Sequence, residues 1–196
     1  DLCGQLNTIG VKNISILGRG VDSRCFSPER RSLELRRQWS AVRNGLIVLY
    51  VGRIAAEKNL NLAIDAYRAM QRNGKVVRFV LVGDGPQRAA LQAQHPDLLF
   101  AGVQTGDDLA QHYASADIFL FPSETETFGN VTLEAMASGL AVVAYDYAAA
   151  HRHIRHGENG ILAPYGDRDK FIEAAAGSAG SPLASGSGTS CRCLCG

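Results

Sequence analysis

The sequence predicts an α/β protein whose core is a doubly wound parallel sheet, folded as a single Rossmann-like domain. Short apolar runs of strand length recur along the chain, and segments with helical spacing of apolar residues separate them. Polar clusters follow several of these runs. Strands that alternate with helices form parallel sheets, and right-handed crossovers place helices on both faces of the sheet.

The first predicted core strand, 46–51, is a continuous apolar run, which is typical of a strand covered on both faces. Before it, a short apolar run at 14–18 precedes a helix of about ten residues that is predicted to open at Phe26-Ser27-Pro28 and end at Trp39. The further strands are predicted at 76–82, 98–100, 117–121, 141–144 and 161–162. The helices between them are predicted at about 60–72, from Pro86, at 107–113, from Asn130, and from Asp167 to about 176.

The composition is that of an ordinary globular domain, with 46% hydrophobic and 20% charged residues among 196. A net charge of +1 gives no electrostatic attraction for nucleic acid, so no nucleic-acid partner is predicted. No apolar run approaches the roughly 18 residues that a membrane-spanning helix needs. Five cysteines without zinc-finger spacing favour a reducing cytoplasm. Asp1 is not a natural start, so a preceding segment is expected.

Four arginines in the first predicted helix admit two interpretations. Arg30, Arg31, Arg36 and Arg37 form either a solvated helix face or a basic surface for an anionic membrane. The solvated face is favoured because the helix is short. The expected location is therefore cytoplasmic, with peripheral contact at the inner membrane surface as the alternative.

Three polar clusters follow predicted strands, at 52–53, 83–85 and 123–129. The carboxyl ends of parallel strands lie at one edge of a sheet, and open α/β sheets bind ligands there. The sequence therefore predicts a ligand site at this edge. Neither a G-x-G-x-x-G fingerprint nor a G-x-x-x-x-G-K-[ST] loop occurs in the chain, so a dinucleotide or P-loop site is not predicted.

The segment 122–139 carries the densest group of candidate side chains. Pro122 ends the preceding strand because proline has no N–H for the ladder, and Gly129 allows a tight turn close to a ligand. Asn130 is a suitable N-cap for the helix that follows, and Glu134 is predicted to point from that helix toward the ligand side. The helix residues predicted to pack on the sheet are Leu133, Met136 and Ala137.

Glu126 and Glu134 stand in the frame E-T-F-G-N-V-T-L-E-A-M-A-S-G, with seven residues between them. This frame resembles the paired-glutamate motif of retaining, nucleotide-sugar-dependent glycosyltransferases with the GT-B fold. The resemblance implies that Glu134 holds the ribose hydroxyls and that Glu126 holds hydroxyls of the donor sugar. Val103, after the third strand, either lies where the family places the base or is an apolar residue that closes a loop. The resemblance implies further donor contacts, in part through backbone amides, by Thr127, Phe128, Gly129, Asn130 and Val131.

A second motif, from Gly52 to Asn59, matches the G-R-x-x-x-E-K-N frame of the same family. The resemblance implies that its basic pair, Arg53 and Lys58, contacts the donor diphosphate. Positive charge at that point stabilises the negative charge that develops as the diphosphate departs. The predicted catalytic residues are therefore Arg53, Lys58 and Glu126, and Gly52 joins the predicted donor-binding residues.

No metal or other cofactor is predicted, since the nucleotide sugar is a substrate. His151, His153 and His156 lie close together in the sequence, but their spacings do not place all three on one helical face. The run Asp167-Arg168-Asp169 has the D-x-D spacing of metal-dependent glycosyltransferases of another fold. Because it opens a helix far from the 122–139 segment, an N-cap by Asp167 is the better interpretation.

The resemblance covers about residues 14–176 and matches the donor-binding, carboxyl-terminal half of a GT-B enzyme. Residues 14–177 are accordingly predicted to form the nucleotide-sugar-binding domain. Residues 1–13 would be a linker or strand from a missing N-terminal half, and 178–196 a flexible tail that is either native or foreign. The missing acceptor half is the expected partner, and this chain alone is expected to be inactive.

The combination of 125–131 with 146–150 looks most like GDP-mannose-dependent α-mannosyltransferases, with UDP-sugar enzymes of the same family as the alternative. Two departures from the family pattern occur. Ala141 stands where a proline is usual, and the loop 146–151 lacks the Gly-Gly and Glu of many relatives, so the sequence leaves the sugar open. Outside sugar transfer, the alternatives are a noncatalytic nucleotide-binding module and a sugar-nucleotide 2-epimerase, which shares the architecture.

Overall fold

Six strands form one parallel sheet in the computed structural model, which describes residues 8–10, 20–39, 45–125 and 130–181. The strands are β1 (Leu46–Val51), β2 (Val77–Val82), β3 (Leu99–Gly102), β4 (Ile118–Phe121), β5 (Ala141–Tyr145) and β6 (Gly160–Ala163). Their order across the sheet is β3-β2-β1-β4-β5-β6, and every neighbouring pair is parallel. The predicted doubly wound parallel sheet is confirmed.

The strand order changes direction between β1 and β4. The chain runs outward from β1 through β2 to β3, then returns to place β4 on the other side of β1. In doubly wound sheets of this order, ligands bind outside the carboxyl ends of the strands at this switch point. The loops that follow β1 and β4 therefore frame the expected site.

Helices cover both faces of the sheet, and each face has its own buried cluster. On one face Tyr67, Phe79 and Phe171 pack together, and on the other Tyr113 and Phe119 do so. A strand between two apolar layers buries side chains in both directions, which explains the continuous apolar run of β1. The α-helices are α1 (Leu33–Gln38), α2 (Leu60–Arg72), α3 (Arg88–Gln94), α4 (Gly106–Ala114), α5 (Asn130–Ala137), α6 (Ala148–His153) and α7 (Arg168–Ser178).

The prediction of a single helix from Phe26 to Trp39 is wrong. A 3-10 turn at Pro28–Arg30 is followed by the separate helix α1. Ser32 interrupts the run because its side chain accepts from the backbone N–H of Leu35 at 3.2 Å and so caps a new helix.

Two other predicted helix starts shift. Helix α3 begins at Arg88, so Pro86 lies in the turn before the helix rather than at its first position. Asn130 is the first residue of α5 rather than its cap. The apolar run predicted at 14–18 falls on residues 11–19, which lie outside the described part, as do 1–7 and most of the predicted tail.

The four arginines before β1 divide into two pairs. Arg31 and Arg36 donate to the Asp117 carboxylate at 2.7 and 2.9 Å, and both also donate to backbone carbonyls. Arg30 and Arg37 are exposed and pair with nearby acidic residues. A purely solvated face is therefore a wrong description of Arg31 and Arg36, because they fasten this segment to the sheet. Within the described ranges, no helix is long and apolar enough to cross a membrane.

Candidate functional site

The loops after β1 and β2 approach each other backbone to backbone at the carboxyl edge of the sheet. Gly52 donates its N–H to the Val82 carbonyl at 3.0 Å, and Gly83 donates to Gly102 at 2.7 Å. Gly83 has φ +133°, and a Cβ there would overlap the Gly52 carbonyl oxygen. Glycine is therefore required for this packing, which brings the predicted polar clusters 52–53 and 83–85 onto one rim.

Arg53 presents its guanidinium at this rim. Its side chain is 66% exposed, and Nη1 lies 3.4 Å from Glu57 Oε1. The backbone turn at Arg53 is held from the core side, because the hydroxyl of buried Tyr50 donates to the Arg53 carbonyl at 2.9 Å. Burial raises the pKa of Tyr50, so this hydroxyl keeps its proton. A long ion pair that is mostly in water holds Arg53 weakly, so its donors remain available to an anion.

Lys58 reaches across the switch point to the loop after β4. Its Nζ donates to the Thr125 carbonyl at 3.1 Å and lies 3.5 Å from Ser123 Oγ. The neighbouring Asn59 makes a parallel contact, since its Nδ2 lies 3.4 Å from Glu124 Oε1. The segment that leads into the paired-glutamate motif is thus joined to the basic motif by side chains.

Glu134 lies on α5 in a half-buried position, at the edge of the core rather than on the open surface. The Tyr113 hydroxyl donates to its Oε2 at 3.0 Å. Burial raises the pKa of the Glu134 carboxyl, and the hydrogen bond from Tyr113 opposes that rise. No cation pairs with Glu134 among the residues that the structure describes, and desolvation of an unpaired carboxylate costs stability, so Glu134 is a candidate functional group.

The face of α5 that packs on the sheet differs from the prediction. Its buried residues are Thr132, Ala135 and Met136, whereas Leu133 and Ala137 are only partly buried. The helix is turned so that Thr132 and Ala135, two small residues, face the core beside Met136. Two predicted donor-binding residues lie on its first turn. Asn130 has a buried Oδ1 with no hydrogen-bond partner among the described residues, and Val131 packs at the edge of the core.

Glu126, Thr127, Phe128 and Gly129 lie outside the described residues, so their predicted roles stay predictions. Val103 follows β3 at the same edge of the sheet, and its side chain is 66% exposed. An exposed apolar side chain in that position is available to a nucleotide base. Among the described residues, no contact shows Val103 closing the loop.

The loop after β5 carries the histidines and one strained residue. His151 Nδ1 lies 2.7 Å from Asp146 Oδ1, and His156 Nδ1 accepts from the Leu162 N–H at 3.1 Å, so these two side chains have separate partners. Ala148 has φ +50°, a conformation that favours glycine. It lies in the loop 146–151, where many relatives carry Gly-Gly.

Within the described ranges, no group of three or more His, Cys, Asp or Glu side chains has the arrangement of a metal site. Asp167 accepts from the Lys170 N–H at 3.0 Å. The predicted N-cap by Asp167 is confirmed.

Residues 45–178 match the sequence profile of a family described as Glycosyl transferases group 1. The chain belongs to this family. It is 40% identical over 158 residues to a GDP-mannose-dependent alpha-mannosyltransferase of Mycobacterium tuberculosis, across 81% of this chain and 40% of that protein. It is 41% identical over 137 residues to the sulfoquinovosyl transferase SQD2 of Arabidopsis thaliana, across 67% of this chain and 26% of that protein.

The group 1 chain spans less than half of the length of these curated relatives. Among solved structures, it superposes on Anabaena Alr3699/HepE in complex with UDP with a TM-score of 0.67 and 26% identity, over 86% of this chain and 50% of that one. These matches confirm the predicted family and the Rossmann-like domain of a GT-B glycosyltransferase.

Sequence motifs do not predict two features of the site in this group 1 chain. Tyr113 contacts Glu134, yet its sequence position indicates only the end of a predicted helix. Tyr147 and Tyr165 expose their rings 4.9 Å apart beyond β5 and β6, and the Tyr165 hydroxyl donates to the Glu124 carbonyl at 3.2 Å. Such contacts join residues far apart in the chain, so local patterns do not predict them.

Proposed function

We propose that this chain is the donor-binding half of a retaining glycosyltransferase that transfers a hexose from a nucleotide-diphospho-sugar. GDP-mannose is the proposed donor, and an acceptor-binding half outside this chain is the proposed partner. The observation that carries the proposal is the placement of Arg53 and Lys58 at the carboxyl ends of β1 and β4, with Glu134 on α5, the helix that follows β4. These two strand ends form the switch point of a sheet in the 3-2-1-4-5-6 order.

The chemistry that the proposal assigns to this rim is charge neutralisation. The bond between the anomeric carbon and the diphosphate oxygen breaks, and the acceptor oxygen bonds to the anomeric carbon on the same face. The departing phosphate oxygen takes the acceptor's proton, so the nucleoside diphosphate leaves protonated and this half needs no protein base. Arg53 and Lys58 would stabilise the negative charge on the leaving group, which preorganised cations do effectively.

The binding role falls to Glu134 and, by the family pattern, to the residues around Glu126. An ionised carboxylate only accepts hydrogen bonds, so Glu134 suits the paired hydroxyls of a ribose. The amides ahead of α5 would receive sugar or phosphate oxygens. No metal or cofactor has a part in the proposal.

The proposed donor rests on the relatives. The Mycobacterium tuberculosis relative is named for GDP-mannose, whereas the Arabidopsis thaliana relative transfers sulfoquinovose and the Anabaena structure holds UDP. A UDP-sugar is therefore the alternative donor, and binding of GDP against UDP separates the two. The proposal includes work in the cytoplasm, with exposed Arg30 and Arg37 as the arginines left for contact with a membrane surface.

Calorimetry of this 196-residue chain with GDP, UDP and GDP-mannose tests the proposal. We expect GDP to bind, and we expect Arg53→Ala and Lys58→Ala each to weaken GDP about tenfold, a typical loss for a charged hydrogen-bonding partner. The matched control is Arg37→Ala, since Arg37 pairs with Glu34 at 3.1 Å on another exposed turn at the opposite end of the sheet. Absence of heat with all three ligands at millimolar concentration would refute the proposal.

A further inference from the structure

We propose that Tyr113 is a positioning residue that holds one carboxylate oxygen of Glu134 and thereby directs the other toward the ribose hydroxyls of the nucleotide. The inference rests on the proposed function, because it deepens the role given there to Glu134. The contact joins two helices that pack side by side on one face of the sheet. Tyr113 lies near the end of α4, and its hydroxyl donates to Glu134 Oε2 of α5 at 3.0 Å.

The ring of Tyr113 is immobilised, which a positioning role requires. Its exposed fraction is 0%, and Phe26 and Phe119 flank it at centroid distances of 5.6 and 5.8 Å. The Phe26 contact is edge-on, with an interplanar angle of 81°. A rigid ring delivers its hydroxyl to one place at little further entropy cost, so the carboxylate is oriented before any ligand arrives.

A neutral donor is suited to this task. A lysine or arginine in the same place would compensate the Glu134 charge and compete for both of its oxygens, whereas a phenol occupies one oxygen. Burial raises the pKa of Glu134 and so favours its protonated form, which accepts fewer hydrogen bonds. The Tyr113 hydroxyl counters that tendency, so it favours the ionised form that two ribose hydroxyls can share.

The Tyr113 ring also contacts the segment before β1. Phe26, which packs on Tyr113, belongs to the chain that leads into the Pro28–Arg30 turn and the Asp117 contacts. Phe26 packs on Tyr113, and Tyr113 donates to Glu134, so the orientation of the Glu134 carboxylate depends on neighbouring elements as well as on its own helix.

The test is Tyr113→Phe in the full 196-residue chain, which removes one oxygen atom and keeps the packed ring. We expect the affinity for GDP to fall about tenfold, as for the loss of a hydrogen bond to a charged group. We expect a much smaller loss with 2′,3′-dideoxy-GDP, which has no ribose hydroxyls for Glu134 to accept. In a Glu134→Gln background, Tyr113→Phe should change GDP affinity less than twofold.

The matched control is Tyr67→Phe. Tyr67 is also fully buried, and its hydroxyl accepts from Gln71 Nε2 at 2.8 Å on the opposite face of the sheet, away from the rim. This variant loses the same atom in a similar setting, so GDP affinity should be unchanged. Thermal unfolding of each variant establishes that the measured protein is folded.

Three outcomes separate the hypotheses. If Glu134→Gln weakens GDP and Tyr113→Phe does not, the positioning role is overturned while the proposed function stands. If Tyr113→Phe weakens GDP and 2′,3′-dideoxy-GDP equally, Tyr113 acts through the fold and the positioning role is again overturned. If Glu134→Gln leaves GDP affinity unchanged, the ribose contact assigned under the proposed function is wrong, and the positioning role fails with it.

Discussion

The two ends of the sheet use charged side chains in opposite ways. At the amino end of β4, Asp117 is only 8% exposed, and its carboxylate accepts from Arg31, Arg36 and the Ile47 N–H at 2.7 to 2.9 Å. Beyond the carboxyl end, the contacts among the described residues leave one carboxylate oxygen of Glu134 without a hydrogen-bond partner, and they give the Arg53 side chain a single long, exposed ion pair. A charge whose hydrogen-bonding capacity is used within the protein stabilises the fold, whereas unused capacity near the strand ends is available to a ligand.

The largest expected effect on stability is at the amino end. Asp117→Ala leaves Arg31 and Arg36 without their carboxylate and the Ile47 N–H without its acceptor. We expect the free energy of unfolding to fall by about 3 kcal/mol, the lower end for a broken buried pair, because Arg31 is partly exposed. Urea unfolding measures this loss, and GDP affinity of the folded protein should not change. An Asp117→Ala chain that is as stable as the unsubstituted one would break the comparison.

The backbone of the rim is the next most sensitive feature. Gly83→Ala should destabilise the chain by about 2 kcal/mol, because φ is +133° and the new Cβ would overlap the Gly52 carbonyl. Gly74→Ala is the control, since Gly74 has φ +75° and open space around it, and we expect it to cost only about 1 kcal/mol. If urea unfolding gave the same loss of stability for both variants, the close approach of the two loops would not be the reason that Gly83 is required.

The smallest expected effect is on the pH dependence of stability, and it tests whether the Glu134 carboxylate contributes to folding. Burial raises the pKa of Glu134 in the folded chain above that of the unfolded chain, so the folded state binds its proton more tightly. The resulting cost in stability is absent at low pH and accumulates as pH rises from the ordinary glutamate pKa through the raised one. We therefore expect Glu134→Gln to stabilise the chain above that window.

The measurement is urea unfolding of both proteins across that pH range. The advantage of Glu134→Gln should shrink as the pH falls, while its GDP affinity stays below that of the unsubstituted chain. A variant that is less stable than the unsubstituted chain at neutral pH would mean that Glu134 contributes to folding.

Local sequence patterns predict most of this fold. The strand 46–51 and the helix 60–72 are observed with the predicted bounds, since continuous apolar runs and a helical stripe report burial directly. Local propensity favours a single first helix because it does not include Asp117. That residue lies more than 80 positions away, and its contacts with Arg31 and Arg36 hold the segment on both sides of the Ser32 cap. Long-range hydrogen bonds overrode the local pattern there.

Some residues of the candidate site are likewise predicted from local sequence, whereas others depend on long-range packing. The spacing of Arg53 and Lys58 after one strand, and of Glu134 after another, predicts that they meet at one edge of a parallel sheet. Tyr113 was not predictable, because its contact with Glu134 depends on how two helices pack. Motifs indicate which residues reach the rim, and only the packing shows which of them are oriented by neighbours.

The contrast between the two ends of the sheet predicts that the carboxyl-end rim, and not the amino end, binds a nucleoside diphosphate. The most direct test is to map the backbone amide NMR shifts of this chain during a titration with GDP. We expect shifts in the loops 52–59, 83–85, 103–105 and 123–125 and on the first turns of α5, with none at 31–36 or 115–117. Shifts confined to the amino end, or no shifts at millimolar GDP, would contradict it.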